Sequence, residues 1–410
     1  MTTTTAQPAA APVPAKPAAT RWEQAIIGLM LALMLVPSLV CYAIYGHHFF
    51  VPDSFTRLTH TPEEWQAMLR NRTVVFIGGP HRGGTSVLWE MLARHPAISA
   101  FGSTRETGSD HSEGMFVQSV YPRFGIGHEF NRGREGGKGG SAWRPTGLGR
   151  YALGPEADVH WTEEHPSVGA PKQAQLLNEF GRFWELSDKP VLLEKSPPNA
   201  VLSRYLQALL NVGNPGWAPV PPTFGGVQSV ARFIFISRHP LANAYAHRAQ
   251  GSCRDERLAV LIANWLAVHE YLEADAPRLQ FVRRLRLEDL AASPHAAEEA
   301  IGALWAFLSL PPAPEMAAAA ARSVRADPNG KYIAQHCESM RAEPRARAAF
   351  ERAAAELNER VRAISVTGDA AGRYDLLDDD WRCAGLPPLA DALEAQRAEL
   401  EAAAALKDEN

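Results

Sequence analysis

The chain has 410 residues, a formal charge of −4 and 46% hydrophobic residues, enough for one large α/β domain with appendages. The near balance of charge, with no basic run, gives no support to a nucleic-acid partner. Four cysteines (Cys41, Cys253, Cys337 and Cys383) show no CxxC or Cys/His spacing, which argues against structural zinc.

Residues 1–20 are Thr, Ala and Pro with one lysine, a composition that cannot bury a core, so 1–24 is expected to be a disordered tail. Ala25 to Tyr45 is an uncharged apolar stretch long enough to cross a bilayer, interrupted by Pro37. Lys16 and Arg21 precede it and Asp53 follows it, which favours a cytosolic amino terminus. It reads as a single-pass signal anchor; a cleaved signal peptide or an organelle address stays open. Residues 46–72 read as a stem. Asn71-Arg72-Thr73 is a glycosylation sequon abutting the first expected strand.

The main domain is expected over 73–385. Thr73 to Ile77 is a buried-strand run, Gly78 to Ser86 a glycine-rich turn, and Val87 to Leu92 a helix. Strand, glycine turn and helix make a phosphate cradle, because backbone N–H groups and the helix dipole favour an anion there. Residues 101–171 form a long, aperiodic loop region, with Gly133 to Gly140 its most glycine-rich part. A helix is expected over Gln173–Leu186 and a strand over Val191–Leu193 running into Glu194-Lys195-Ser196-Pro197. Asn199 is placed to cap a helix over Ala200–Leu210. Arg232–Ser237 is the next buried strand, ending in Arg238-His239-Pro240 with a helix from Leu241. A helix over Leu258–Glu273, a strand over Leu279–Leu285 and a helix over His295–Leu308 follow. The Ala/Arg/Glu-rich tracts 341–364 and 388–406 read as helices, and 386–410 as a helical tail. Strands alternating with helices predict a parallel sheet covered on both faces. Of the later cysteines, one disulfide is open, but the sequence does not pair them.

A nucleoside triphosphatase would carry GxxxxGK[ST]. Here Gly83 is followed by Gly84, Thr85 and Ser86, with no lysine, and the cation stands earlier, at Arg82. No acidic strand end is evident for Mg²⁺, and no Rossmann GxGxxG is present. The pattern suits an anion handled without a metal.

On these residues the chain resembles the membrane-bound sulfotransferases that use 3′-phosphoadenylyl sulfate. The first motif is Arg82-Gly83-Gly84-Thr85-Ser86 after a strand. The second is Phe233 to Pro240, a strand ending in Arg238-His239-Pro240. Between them lies Glu194-Lys195-Ser196-Pro197, and later come Glu288-Asp289-Leu290 and Phe307 to Leu310. The similarity runs in order over about 73–310. The family's serine eight residues after the arginine is Ala246 here, with His247 or Ser237 as stand-ins. The tyrosylprotein branch's Glu-Glu-Thr-Arg segment reads Gly102-Ser103-Thr104-Arg105-Glu106, which gives no direct match for the base.

The resemblance implies an α/β, P-loop-like sulfotransferase fold behind one transmembrane helix, and a Golgi type II protein with a lumenal catalytic domain. It implies sulfuryl transfer to a hydroxyl, first of a carbohydrate and next of a protein tyrosine. The amides of Gly83 to Ser86, with the Thr85 and Ser86 hydroxyls, would take the 5′-phosphosulfate. Arg82 and Lys195 would stabilise transition-state charge, and Arg238 would hold the 3′-phosphate. Lys331, in Asn329-Gly330-Lys331-Tyr332, would belong to a late loop over the donor, an ordinary turn being the alternative. Candidate bases, in order, are Glu106, Glu113 and His111. Glu288 and Asp289 read as capping or pairing residues. No metal is called for, and a second copy of the chain is a candidate partner. The rivals are a metal-dependent P-loop kinase and a non-catalytic nucleotide-binding protein.

Overall fold

Among the described residues, five parallel strands form one sheet, in the order β2 (Ile98–Ala100), β3 (Val191–Lys195), β1 (Thr73–Gly78), β4 (Ala231–Ser237) and β5 (Val282–Arg286). The structure, a computed structural model, describes residues 60–102, 112–121, 160–217, 228–249, 253–254, 256–369, 372–383 and 385–408. The expected anchor at 25–45, the glycine-rich 133–140 and the candidate bases Glu106 and His111 lie outside them. Among the described residues no helix is long and apolar enough to cross a membrane.

β1 (Thr73–Gly78) is central because it is apolar on both faces. Val74 and Phe76 pack on one side of the sheet, Val75 and Ile77 on the other, and all four are fully buried. A strand of this kind needs cover on both faces, and helices supply it. α1 (Pro62–Leu69), α3 (Ala170–Phe180) and α4 (Asn199–Leu210) cover the first face. α2 (Thr85–Leu92), α8 (Pro294–Phe307) and α9 (Pro314–Ala321) cover the second. A third core joins α5 (Pro240–Arg248), α6 (Leu258–Asp275), α10 (Gly330–Ala342) and α11 (Pro344–Ala363) to residues 364–381. The remaining elements are β2 (Ile98–Ala100), β3 (Val191–Lys195), β4 (Ala231–Ser237), β5 (Val282–Arg286), α7 (Leu287–Ala291) and α12 (Leu389–Asp408).

Several bounds differ from the sequence reading. The helix expected over Gln173–Leu186 ends at Phe180, where Gly181 N–H closes back on Leu177 C=O at 2.7 Å. The last strand begins at Val282, because Ala276–Arg278 form a 3₁₀ turn that ends at Leu279. The tract at 341–364 is the end of α10 followed by α11, which starts at Pro344. Within the expected stem, 62–69 is a helix whose Trp65 is fully buried and donates to Asn178 Oδ1 at 2.9 Å. Cys337 is bonded to Cys383, and Cys253 is a free, buried thiol. Asn71 is exposed in the turn between α1 and β1.

After β1 the chain builds β2 and β3 on one side and β4 and β5 on the other. The reversal opens a crevice at the carboxyl end of β1, the place where open α/β sheets hold ligands.

Candidate active site

The loop after β1 is shaped by backbone. Gly79 has φ 145°, and a Cβ there would lie 2.1 Å from the Ile236 carbonyl oxygen, so only glycine passes so close to β4. Gly79 N–H donates to Pro197 C=O at 3.1 Å, stitching the loop to the segment after β3. Gly83 N–H closes a turn on Pro80 C=O at 2.9 Å, and Asn243 Nδ2 of α5 holds the His81 carbonyl at 2.6 Å. Arg82 is in the left-handed region at φ 66° and its side chain is exposed. Gly84, at φ 109°, caps α2 without a side-chain bond. The helix ladder begins at Leu88 N–H to Gly84 C=O, 3.1 Å, so the N–H groups of Thr85, Ser86 and Val87 precede it. They form the positive end of the helix dipole.

Beside this helix start stands a buried ammonium. Lys195 closes β3 in register with Ile77, and its side chain is fully buried. Nζ lies 3.0 Å from Glu113 Oε1 and 3.5 Å from Ser86 Oγ. Burial lowers its pKa, with Glu113 opposing. The lysine missing from the loop is thus supplied in space by the neighbouring strand.

Glu113 is brought there by the preceding residue of β3. Glu194 Oε1 accepts from Gly114 N–H at 2.9 Å and Ser196 Oγ at 2.5 Å, and Oε2 accepts from Asn199 Nδ2 at 2.6 Å. Ser196 Oγ also accepts from Met115 N–H at 3.0 Å. These bonds fasten the 3₁₀ turn Gly114–Phe116 to the end of β3. Burial pushes the Glu194 pKa up to about 7 against the pull of its three donors. Asn199 makes no cap bond. Its amide bridges Glu194 and the Ile77 carbonyl, 2.9 Å away, and so ties β3 to β1.

The second half of the site lies at the ends of β4 and β5. Arg238 is 8% exposed. Its Nε donates to Asn329 Oδ1 at 2.8 Å, its Nη2 donates to the Pro328 carbonyl, and its guanidinium lies 4.8 Å from the Tyr332 ring centroid. Burial lowers its pKa, with Tyr332 and Glu288 opposing. Lys331 is exposed, and its Nζ is 4.6 Å from the same ring centroid. The stretch 329–332 is the start of α10, laid on Arg238.

Of the two expected stand-ins at this strand end, Ser237 is engaged: its Oγ meets His269 Nε2 at 2.8 Å. Ala246 belongs to the apolar core between α5 and α6. His247 lies under the loop, held neutral with a pKa near 4 by burial and by Arg82, and linked to the His81 backbone. Among the described residues its Nε2 makes no hydrogen bond.

The structure therefore gathers Arg82, Gly83, Gly84, Thr85, Ser86, Lys195, Glu113, Arg238 and Lys331 at the carboxyl ends of the strands. Sequence reasoning missed Glu288 as a hub. Its Oε1 accepts from His239 N–H and from Asn329 Nδ2, each at 2.8 Å, and its Oε2 from Tyr374 OH at 2.7 Å. Both acids make the structural pairings expected of them, Asp289 with Arg286 at 2.6 Å. A cleft of about 730 Å³ opens beside the hub, lined by His239, Arg286, Glu288, Asn329, Tyr374 and Trp381 among others. No group of three or more His, Cys, Asp or Glu among the described residues is arranged to hold a metal ion.

Among solved structures, the chain is similar to the sulfotransferase domain from the Synechococcus PCC 7002 olefin synthase. The match has 17% identity and a TM-score of 0.29, over 60% of this chain and 76% of that one. No family model matches the chain, and no curated protein does.

Proposed function

We propose that the protein transfers a sulfuryl group from 3′-phosphoadenylyl sulfate to an acceptor hydroxyl by in-line displacement. The observation that carries this reading is the buried Lys195 ammonium, set between Glu113 and the start of α2. An anion seated on the Thr85 to Val87 amides would meet a fixed cation and a carboxylate at the same point.

In the reaction the acceptor oxygen forms a bond to sulfur while the bond from sulfur to the bridging oxygen breaks. The electron pair stays on the 5′-phosphate of the leaving adenosine 3′,5′-bisphosphate. Lys195 and Arg82 stabilise that growing charge, with the amides of Gly83 to Ser86 and the Thr85 and Ser86 hydroxyls around the 5′ group. Glu113, the described candidate base, takes the acceptor's proton. Arg238 receives the 3′-phosphate, with Lys331 beside it.

Glu194 favours this reading over a kinase. It is the carboxylate at the end of the strand next to β1, and both its oxygens are taken by Gly114, Ser196 and Asn199, which leaves it a poor magnesium ligand. The Cys337–Cys383 bond suits an oxidising compartment and so supports a Golgi-lumenal placement behind the expected anchor. Exposed Asn71 would then be open to glycosylation. A carbohydrate hydroxyl is the acceptor we assign, following the resemblance.

The test is transfer of labelled sulfate from 3′-phosphoadenylyl sulfate to a panel of glycan acceptors. Transfer by the wild-type chain, lost in folded Arg82→Ala and Lys195→Ala variants, is expected. Equal transfer by the variants would overturn the assignment.

A further inference from the structure

We propose that Glu288 is the positioning residue that makes the site select a 3′-phosphorylated nucleotide, by fixing the Arg238 guanidinium through Asn329. The inference rests on the donor reading above and extends it to a residue outside the reacting groups.

Three hydrogen bonds converge on one carboxylate from segments 41, 49 and 86 residues away. Two of them come from residues that frame Arg238: His239 follows it in the chain and Asn329 is bonded to it. His239 N–H is the next backbone amide after Arg238, so Oε1 pins the end of β4 from below the guanidinium. Asn329 Nδ2 shares the same oxygen, and Asn329 Oδ1 receives Arg238 Nε. The amide of Asn329 has only one orientation that serves both partners. A guanidinium only donates and a carboxylate only accepts, so Oδ1 must face Arg238 and Nδ2 must face Glu288. The accepting Glu288 oxygen is therefore what keeps the Asn329 oxygen pointed at the arginine. Tyr374 OH occupies Oε2 and stops the carboxylate from rotating away.

The result is a guanidinium held along its Nε and Nη2 edge by Asn329 and Pro328 and laid against the Tyr332 ring. Without Asn329 held in place, Arg238 keeps its charge but loses its fixed direction. A freely turning cation attracts any nucleotide. A fixed, forked one rewards a phosphate at a single position.

Glutamine is a usable stand-in. Its amide oxygen can accept from His239 and Asn329, and its NH₂ can donate to the Tyr374 oxygen, which accepts as readily as it donates. Alanine keeps none of the three bonds.

The experiment is calorimetry on the full chain with adenosine 3′,5′-bisphosphate and with adenosine 5′-phosphate, reading the ratio of the two affinities. The wild-type chain is expected to prefer the bisphosphate strongly. Glu288→Ala is expected to shrink that preference by about tenfold or more. Glu288→Gln should keep it within about threefold of wild type, since its hydrogen bonds survive. In an Arg238→Ala background, Glu288→Ala should change the ratio no further, because it acts through Arg238. Sulfate transfer by Glu288→Ala, measured over a range of donor concentrations, should show a raised donor KM with a nearly unchanged kcat.

An unchanged ratio in Glu288→Ala, with the wild type discriminating, overturns this inference alone. So does a Glu288→Ala effect that persists without Arg238. Should Glu288→Ala not fold, Glu288→Gln losing the preference overturns it. Binding of neither nucleotide by the wild type overturns the donor reading first and this inference with it.

Discussion

The two halves of the site are built from different materials. The half at β1 and β3 is mainly backbone: one continuous loop, the amides opening α2, and a single lysine from the next strand. The half at β4 and β5 is mainly side chains: Arg238, Glu288, Asn329, Tyr332 and Tyr374, drawn from distant segments. A backbone cradle grips the feature that all phosphates and sulfates share. A side-chain assembly can be tuned to one substituent at one distance. On the proposed function, the first half would serve the chemistry and the second would choose the nucleotide.

That division can be broken by experiment. The largest effect is expected at Lys195: Lys195→Met should lower sulfate transfer by roughly 10²–10³-fold in kcat, the scale of losing one preorganised transition-state donor. Affinity for adenosine 3′,5′-bisphosphate should move far less. If the affinity fell and kcat held, Lys195 would belong to binding.

Next is Gly79→Ala. The added methyl collides with the Ile236 carbonyl in a backbone conformation at φ 145°, so thermal unfolding should show a loss of roughly 3 kcal/mol or more. A neutral result would mean that the loop is not held against β4.

Glu194 gives a pH signature of similar size. Its folded pKa of about 7 lies above the carboxylate's ordinary value of 4.5. The folded state therefore binds the extra proton in that interval. Stability from this group is complete below about pH 4.5 and is lost as pH rises through about 7, on the order of 3 kcal/mol in all. Denaturant unfolding at pH 5 and pH 8 should show the drop in the wild type and not in Glu194→Leu.

The smallest expected effect is at Arg238. Arg238→Ala should raise the KM for the donor about ten- to fiftyfold, with kcat little changed, as for a lost charged hydrogen bond to bound substrate. An equal fall in kcat would erase the distinction between the two halves.

The same contrast explains what could be read in the sequence. β1, the glycine loop and the strand ending at Arg238 were legible because their signals are local: an apolar run and then glycines or a proline. β5 was misplaced because Arg283, Arg284 and Arg286 blur its apolar pattern at the sheet edge. The helix Pro62–Leu69 was missed although its signature was present, Thr61 and Glu64 in a capping box followed by apolar residues. The place of Asn199 before a helix points to a cap, whereas the buried Glu194 carboxylate claims its amide. Glu288, Asn329 and Tyr374 carry no local signal that they meet. Only the folded chain brings them to one carboxylate.

The most direct measurement for the central claim is calorimetric titration of the full chain, without magnesium, with adenosine 3′,5′-bisphosphate. Saturable binding to the wild type is expected, and a much weakened interaction when Arg238 and Lys195 are both replaced. No binding of the bisphosphate, together with binding of ATP only when magnesium is present, would contradict it.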